Sequence, residues 1–466
     1  MTEQLTGMDS AFLALETPEL PMHVVGVLIL DPAGGADFSV KRLRQVVADR
    51  LHLMPPFCRR LIDVPLSLDR PYWHYDTAID LDEHVVEERL ATGDMRALGG
   101  LVGTIASRPL DRKRPLWELH VVTGLDDGKV ALIAKVHHST LYGAAGAEFI
   151  AQLLDLSPEG SDVEAPPPNG QAASPPGRVD LLRRTVMANV RRPWSIGRLL
   201  VSGGRGAVGT VGELTGLVRR RGRAALPALA PRTAISGPLT EAREASFTAL
   251  SLDDAKAVKE AGGVKLNDVV LAVVALALRR YLVARDAVPD RALACGVPVN
   301  AGAGGSAGTN TLATMLVSLP VADMPADELL AAVYDATVAA KEFIDVIGMS
   351  GLAELADVTP PAMLTMVSWL NRTFGLESVQ PPLANIVVSN VMGPPIPLYL
   401  AGALVQAVYP LGPLLPGVGM NLTVLSNLDR LDVGVMACPD VVDDVWELVQ
   451  LLPGALADLK AAVVAS

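Results

Sequence analysis

The stretch KVHHSTLYGAAGAEF, residues 135–149, contains the side chains best suited to chemistry: adjacent His137 and His138, followed by Tyr142 and Gly143. An imidazole with an ordinary pKa near 6.5 can take a proton from a hydroxyl at neutral pH, which is what activating an alcohol requires. A histidine that only completes a core hydrogen bond has the same signature, so both readings stand at this point. All seven histidines lie at or before position 138, so imidazole chemistry has few other candidates. No GxSxG elbow for a serine nucleophile occurs. The glycine-rich AGAGGSAG at 301–308 lacks the GxGxxG spacing and strand-turn-helix setting of a phosphate cradle, and reads as a flexible loop. Cys58, Cys295 and Cys438 are too widely spaced for a disulfide framework or a CxxC metal pair, and no metal is expected.

Strand alternation positions the pair. From 130 to 138, Val130, Leu132, Ala134, Val136 and His138 share one face, while Ile133, Lys135 and His137 share the other, so only one histidine can face a given pocket. The preceding PLWELHVVTGL reads as a partner strand, joined through an Asp-Gly turn into a hairpin. After the pair, Phe149, Ile150, Leu153 and Leu154 recur at helical spacing. The histidines therefore sit where a strand passes through a glycine turn to a helix. Upstream, MDSAFLALE predicts a short helix capped by Asp9 or Ser10, and MHVVGVLILD a strand.

The 466 residues suffice for two domains, and 50% hydrophobic with 19% charged residues excludes a disordered chain. The longest apolar run, VVLAVVALAL at 269–278, is about half the length of a membrane span. The acidic N-terminus has no export-signal pattern, so a cytoplasmic location is expected. A first α/β segment spans 1–156. A Pro/Gly/Ser-rich linker at 157–177 and an arginine-rich stretch at 178–232 form a connector to about 244, and a second α/β segment runs from 245 to 466. Residues 178–232 hold twelve arginines against Asp180 and Glu213, in a chain of net charge −12. Mixed with Leu, Val and Trp194, they read either as an amphipathic segment lying on an anionic membrane surface or as a solvated helical linker. Sparse aromatics and the lack of a recognition motif argue against nucleic acid.

Several ordered motifs are similar to those of the bacterial wax ester synthase/diacylglycerol acyltransferase family, one of the CoA-dependent acyltransferases: MDSAFLALETPELPMHVVGV, RPLDRKRPLWELHVV, the histidine pair, LNDVVLAVVA, SNVMGPP and MNLTVLSN. The resemblance implies two chloramphenicol-acetyltransferase-like domains, each a mixed sheet with flanking helices, and an active-site tunnel between them. It implies transfer of a long acyl chain from acyl-CoA, as substrate and with no resident cofactor, to diacylglycerol or a fatty alcohol. It further implies peripheral association with the inner membrane or lipid droplets. By the same resemblance His138 is the general base and His137 a support. Asn267 and Asp268 are the family's ND pair, although a helix N-cap explains them equally well. Pro115, Leu116 and Trp117 form a structural PLW motif. Asn390 and Gly393 belong to an NVPGP loop in which Met392 replaces a proline. The family's HHxxxDG motif has an aspartate before Gly143, where this chain has Tyr142; the arginine expected to pair with it is also missing, since Asn300, Ala301 and Gly302 follow the VPV strand. Stranding one buried charge costs about 3–5 kcal/mol, whereas replacing both partners is often nearly neutral, so the fold is expected to survive. Two alternatives stay open for activity: a non-catalytic lipid- or CoA-binding paralogue, and a transferase that uses a carrier-protein-bound donor.

Overall fold

A computed structural model describes residues 2–34, 38–76, 79–141, 151–161, 163, 176–177, 179–187, 215–217, 219, 230–300, 312–347, 359, 361–375 and 382–464. In chain order the first part holds β1 (Thr2–Gln4), α1 (Gly7–Leu15), β2 (His23–Asp31), α2 (Val40–Arg50), β3 (Arg59–Ile62), β4 (Tyr72–Tyr75), α3 (Leu81–His84), β5 (Val85–Arg89), α4 (Met95–Ser107), β6 (Trp117–Thr123) and β7 (Val130–His137). The second part begins with β8 (Glu244–Ser251), α5 (Leu252–Gly262), α6 (Leu266–Val283), β9 (Leu293–Asn300), β10 (Leu312–Leu319), α7 (Ala326–Ile347) and α8 (Pro361–Phe374). It ends with β11 (Ile386–Val391), β12 (Tyr399–Leu400), β13 (Ala403–Leu411), β14 (Met420–Asn427), β15 (Arg430–Ala437) and α9 (Val445–Val464).

These strands form two six-stranded sheets, ordered β12-β13-β2-β7-β6-β5 and β10-β9-β11-β14-β15-β8, and a small sheet ordered β1-β4-β3. Both large sheets are mixed, with β5 parallel to β6 and β11 parallel to β9 and β14, as the predicted α/β class requires. The division of the sequence at 156 and 245 does not carry over to the sheets. Strand β13 crosses back and pairs antiparallel with β2, from Leu404 opposite Asp31 to Leu411 opposite Val25.

The alternation along β7 appears as two cores. Leu132, Ala134 and Val136 pack with Leu28 and Leu30 of β2 and Leu43 and Val47 of α2. On the opposite face, Ala131 and Ile133 pack with Val25, Val27 and the apolar side of α4. Helix α1 is capped three residues before the Asp9 that the sequence suggested. Thr6 accepts from Asp9 N–H at 3.1 Å and donates its hydroxyl to Asp9 Oδ2 at 2.6 Å, which places Asp9 and Ser10 inside the first turn. The physical reason is that Thr6, with extended backbone angles, can aim its oxygen at the open N–H groups.

Helix α4 lies between the first sheet and β8. Gly99 and Gly103, one turn apart, let it approach the β8 backbone so closely that a Cβ on either would fall 2.1 Å from Ala245 O or 2.0 Å from Arg243 O. In the second part, α6 is buried around its whole circumference, and its apolar run is that of a core helix. Among the described residues no single helix is long and apolar enough to cross a membrane.

Gly103→Ala is a test of the α4–β8 contact. Helix propensity alone would favour alanine by about 1 kcal/mol. Forcing β8 aside should outweigh this and lower stability by about 2 kcal/mol or more. A denaturation midpoint at or above that of the natural chain would contradict the contact.

Candidate active site

The His137–His138 peptide is held from both sides. His137 N–H donates to Leu116 O at 3.0 Å, on the β6 side, and His138 N–H donates to Met22 O at 2.8 Å, on the β2 side. Residues His138–Thr140 then form one 3₁₀ turn, closed by Leu141 N–H on His138 O at 3.1 Å. The PLW motif thus works through its backbone: Leu116 supplies the carbonyl that fixes His137. Its side chains anchor that carbonyl. Pro115, Leu116 and Trp117 are buried, and the Trp117 indole donates to Phe57 O at 2.8 Å and stacks on His84 with ring centroids 4.2 Å apart.

Beyond β7 the two rings diverge. His137 turns to the polar side, where its Nδ1 meets Ser139 and its Nε2 faces Glu16. His138 lies against Phe12 of α1, with ring centroids 4.2 Å apart, and is half-buried. Next to it, across Phe12 and Met22, is a mostly apolar cavity of about 400 Å³. Its lining includes Leu20 from the first part, Leu239 from the connector, and Val367 and Leu415 from the second. The volume is within the range of small-molecule sites. Burial, and then the neighbouring His137, push the His138 pKa down to about 4, so the ring is neutral near pH 7, as a proton acceptor must be. Its Nδ1 is buried without a hydrogen-bond partner among the described residues.

The sequence matches the wax ester synthase/diacylglycerol acyltransferase catalytic domain over residues 5–270 and the C-terminal domain of the same enzymes over 308–460. A Mycobacterium tuberculosis relative named as a diacylglycerol O-acyltransferase is 32% identical over 465 residues, covering 98% of this chain and 90% of its own. The chain belongs to the wax ester synthase/diacylglycerol acyltransferase family. The solved Marinobacter aquaeolei VT8 wax ester synthase/diacylglycerol acyltransferase superposes with a TM-score of 0.69 at 27% identity, covering 98% of each chain. The starter condensation domain of rhizomide synthetase, at 14% identity and a TM-score of 0.54 over 99% of this chain and 95% of its own, shares the fold.

The other family positions are spread over the molecule. Asn267, half-buried, and Asp268, buried, occupy the first turn of α6, where Asp268 Oδ2 accepts from Lys265 N–H at 3.0 Å. Lys265 holds the cap position, so the pair sits two and three residues past the N-cap and not at it, as the sequence had suggested. Among the described residues no hydrogen bond or ion pair joins Asn267 or Asp268 to His138. Asn390 is in β11 opposite Val424. Gly393 donates its N–H to Ser426 Oγ at 3.0 Å, and a Cβ there would lie 2.1 Å from Ser426 O, so this glycine is required by close backbone approach. Met392 beside it is 91% exposed. Tyr142 and Gly143 lie outside the described residues, as do Ala301, Gly302, the glycine-rich loop and most of 157–229.

Sequence reasoning missed a buried polar row on the His137 face of the first sheet: Glu16, His23, Lys135 and Glu118, with Arg112 at its edge. Lys135 is fully buried, donates to Arg108 O at 2.5 Å and lies 3.8 Å from Glu118. Burial pushes its pKa down to about 8, against the opposing pull of Glu118 and Glu16. The available signal was parity. His23 starts β2 directly opposite His137, and Lys135 stands two residues before it on the same face.

With His138 neutral down to about pH 4, protonation should remove activity only below that value, and the acid limb of kcat/KM should fall near pH 4. A limb centred near 6.5 in a pH–rate profile would show a ring without this desolvation.

Proposed function

We propose that the chain transfers a long acyl group from acyl-CoA to the hydroxyl of diacylglycerol or a long-chain alcohol, with His138 as general base. The observation that supports this most directly is a neutral imidazole packed on Phe12, which together with residues of the second part lines an apolar cavity. In the reaction, His138 takes the hydroxyl proton as the alcohol oxygen attacks the thioester carbonyl. The C–S bond then breaks, the ester forms, and the histidine returns its proton to the departing CoA thiolate. No side chain needs to carry the acyl group, and acyl-CoA enters as substrate with no resident cofactor. The names of the Mycobacterium and Marinobacter relatives support this substrate class.

His138→Ala should lower transfer of labelled palmitate from palmitoyl-CoA to diolein by about 10²–10⁴-fold, the usual contribution of a general base. The unfolding temperature should change little, because the backbone bonds that shape the turn are kept. Full turnover by the folded variant would refute the assignment. If the natural chain gives no product but is stabilised thermally by palmitoyl-CoA, the tyrosine at the motif position marks a binding protein instead. Product from a carrier-bound donor alone would mark the third reading.

The same reading places the protein at a lipid surface. Within 179–187, Val179, Leu182, Val186 and Met187 are exposed beside Arg183 and Arg184, and Leu181 anchors the segment on Val64 and Tyr72. Helix α8 lies against the neighbouring Pro65–Ser67 turn and exposes Met363, Met366, Trp369 and Phe374, while its Val367 and Ser368 line the cavity. Apolar side chains flanked by arginines suit an anionic lipid layer, at about 1 kcal/mol per basic residue near the surface. Leu182→Glu combined with Trp369→Glu should release the protein from anionic vesicles in a sedimentation assay. Undiminished binding of this variant in high salt would contradict the lipid-surface role.

A further inference from the structure

Glu16 immediately follows α1, and its side chain is 11% exposed. Oε1 lies 3.2 Å from His23 Nε2 and 3.5 Å from His137 Nε2, and Oε2 accepts from Arg112 at 2.7 Å. Burial by itself would raise the Glu16 pKa, but the facing His137 and His23 rings and the Arg112 guanidinium outweigh it and hold the group well below the usual carboxylate range. The site therefore has a charged acceptor among rings that are themselves buried.

The protonation of His137 follows from its neighbours. The Ser139 backbone N–H lies 3.1 Å from Nδ1 and can only donate, and the Ser139 hydroxyl at 2.7 Å can donate there as well, so the two contacts together favour a lone pair on Nδ1. The single proton of the neutral ring is then on Nε2, the nitrogen that faces Glu16. At 3.5 Å this contact is longer than an ordinary hydrogen bond, so Glu16 acts mainly as a fixed negative charge that selects the tautomer. The opposite tautomer could keep only the hydroxyl contact, with Nδ1–H donating to Ser139 Oγ, and would set Nδ1–H against the Ser139 N–H, losing the backbone bond at the start of the turn. His23 stands beside the pair, its Nδ1 3.2 Å from Ala106 O and its Nε2 3.2 Å from Glu16 Oε1. One turn earlier on the same helix, Phe12 lies against the His138 ring. Helix α1 thus contacts both histidines of the pair.

We propose that Glu16, anchored by Arg112, is a positioning residue for His138: it keeps the His137 proton on Nε2, which lets Nδ1 accept from Ser139 and holds the His138–Thr140 turn closed. A carboxylate in this way reaches the histidine loop from α1, in a chain with tyrosine at motif position 142. The kinetic consequence rests on His138 being the base, whereas the tautomer does not.

The full chain, labelled with ¹⁵N-histidine, separates the two. Seven histidines make the spectrum tractable. The natural chain should show His137 as the Nε2–H tautomer. Glu16→Leu, similar in size but without an acceptor, should shift His137 toward Nδ1–H, and lower kcat by roughly 10–100-fold, as a base displaced by about an ångström would. KM for palmitoyl-CoA should stay within about twofold. Glu16→Gln keeps an acceptor oxygen and should recover part of kcat. Should Glu16→Leu fail to fold, Arg112→Met, at the exposed end of the pair, should give the same shifts in smaller measure. An unchanged His137 tautomer in Glu16→Leu, or in Arg112→Met where that variant must stand in, overturns the proposal whatever happens to kcat, and so does a full tautomer shift with natural kcat. If His138→Ala keeps full activity, the base assignment fails, and the tautomer alone judges Glu16.

Discussion

The site depends on one short piece of backbone suspended between two strands. With His137 N–H bonded to Leu116 O and His138 N–H to Met22 O, the end of β7 cannot shift along either neighbour without breaking a buried hydrogen bond. Leaving such a group unpaired costs about 1–3 kcal/mol. The strand pleat then makes the two rings diverge: one enters a buried polar row, and the other packs on Phe12, which lines the cavity.

The cavity in turn depends on how the two parts of the chain are joined. Its walls come from α1 and the start of β2 on one side, and from residues 238–239, α8 and the 415–416 turn on the other. Two features of the backbone hold these walls in register. Strand β13 leaves the second part and completes the first sheet beside β2. Helix α4 presses its glycine face onto β8, and its last turn and the residue after it supply the carbonyls that receive His23 and Lys135. A contact between the two parts and the support of the histidine row are therefore made by the same helix, so loosening one should disturb the other.

Much of this was legible in the sequence because it is local. Alternation from Val130 to Val136 gave β7 its two faces and placed the histidine pair at the strand's end. Other features depend on partners far away in the chain. Nothing in residues 403–411 says that they pair with 25–31, since a strand pattern does not specify its neighbour. Glu16 looks like a lone acidic residue after an apolar helix, and only the fold brings it to His137, His23 and Arg112. At the ends of α1 and α6, Thr6 and Lys265 took the cap positions instead of the more obvious Asp9 and Asn267, because what counts there is backbone angle and reach.

Direct transfer is tested most simply by giving the enzyme a labelled long-chain acyl-CoA first without, and then with, an acceptor alcohol, and following free CoA, protein mass and lipid product in a single turnover. The account predicts no burst of CoA and no mass gain until alcohol is added, after which CoA and labelled ester appear in equal amounts. An acylated protein formed in the absence of alcohol would contradict it, because a neutral histidine acting only as a base leaves no covalent trace on the chain.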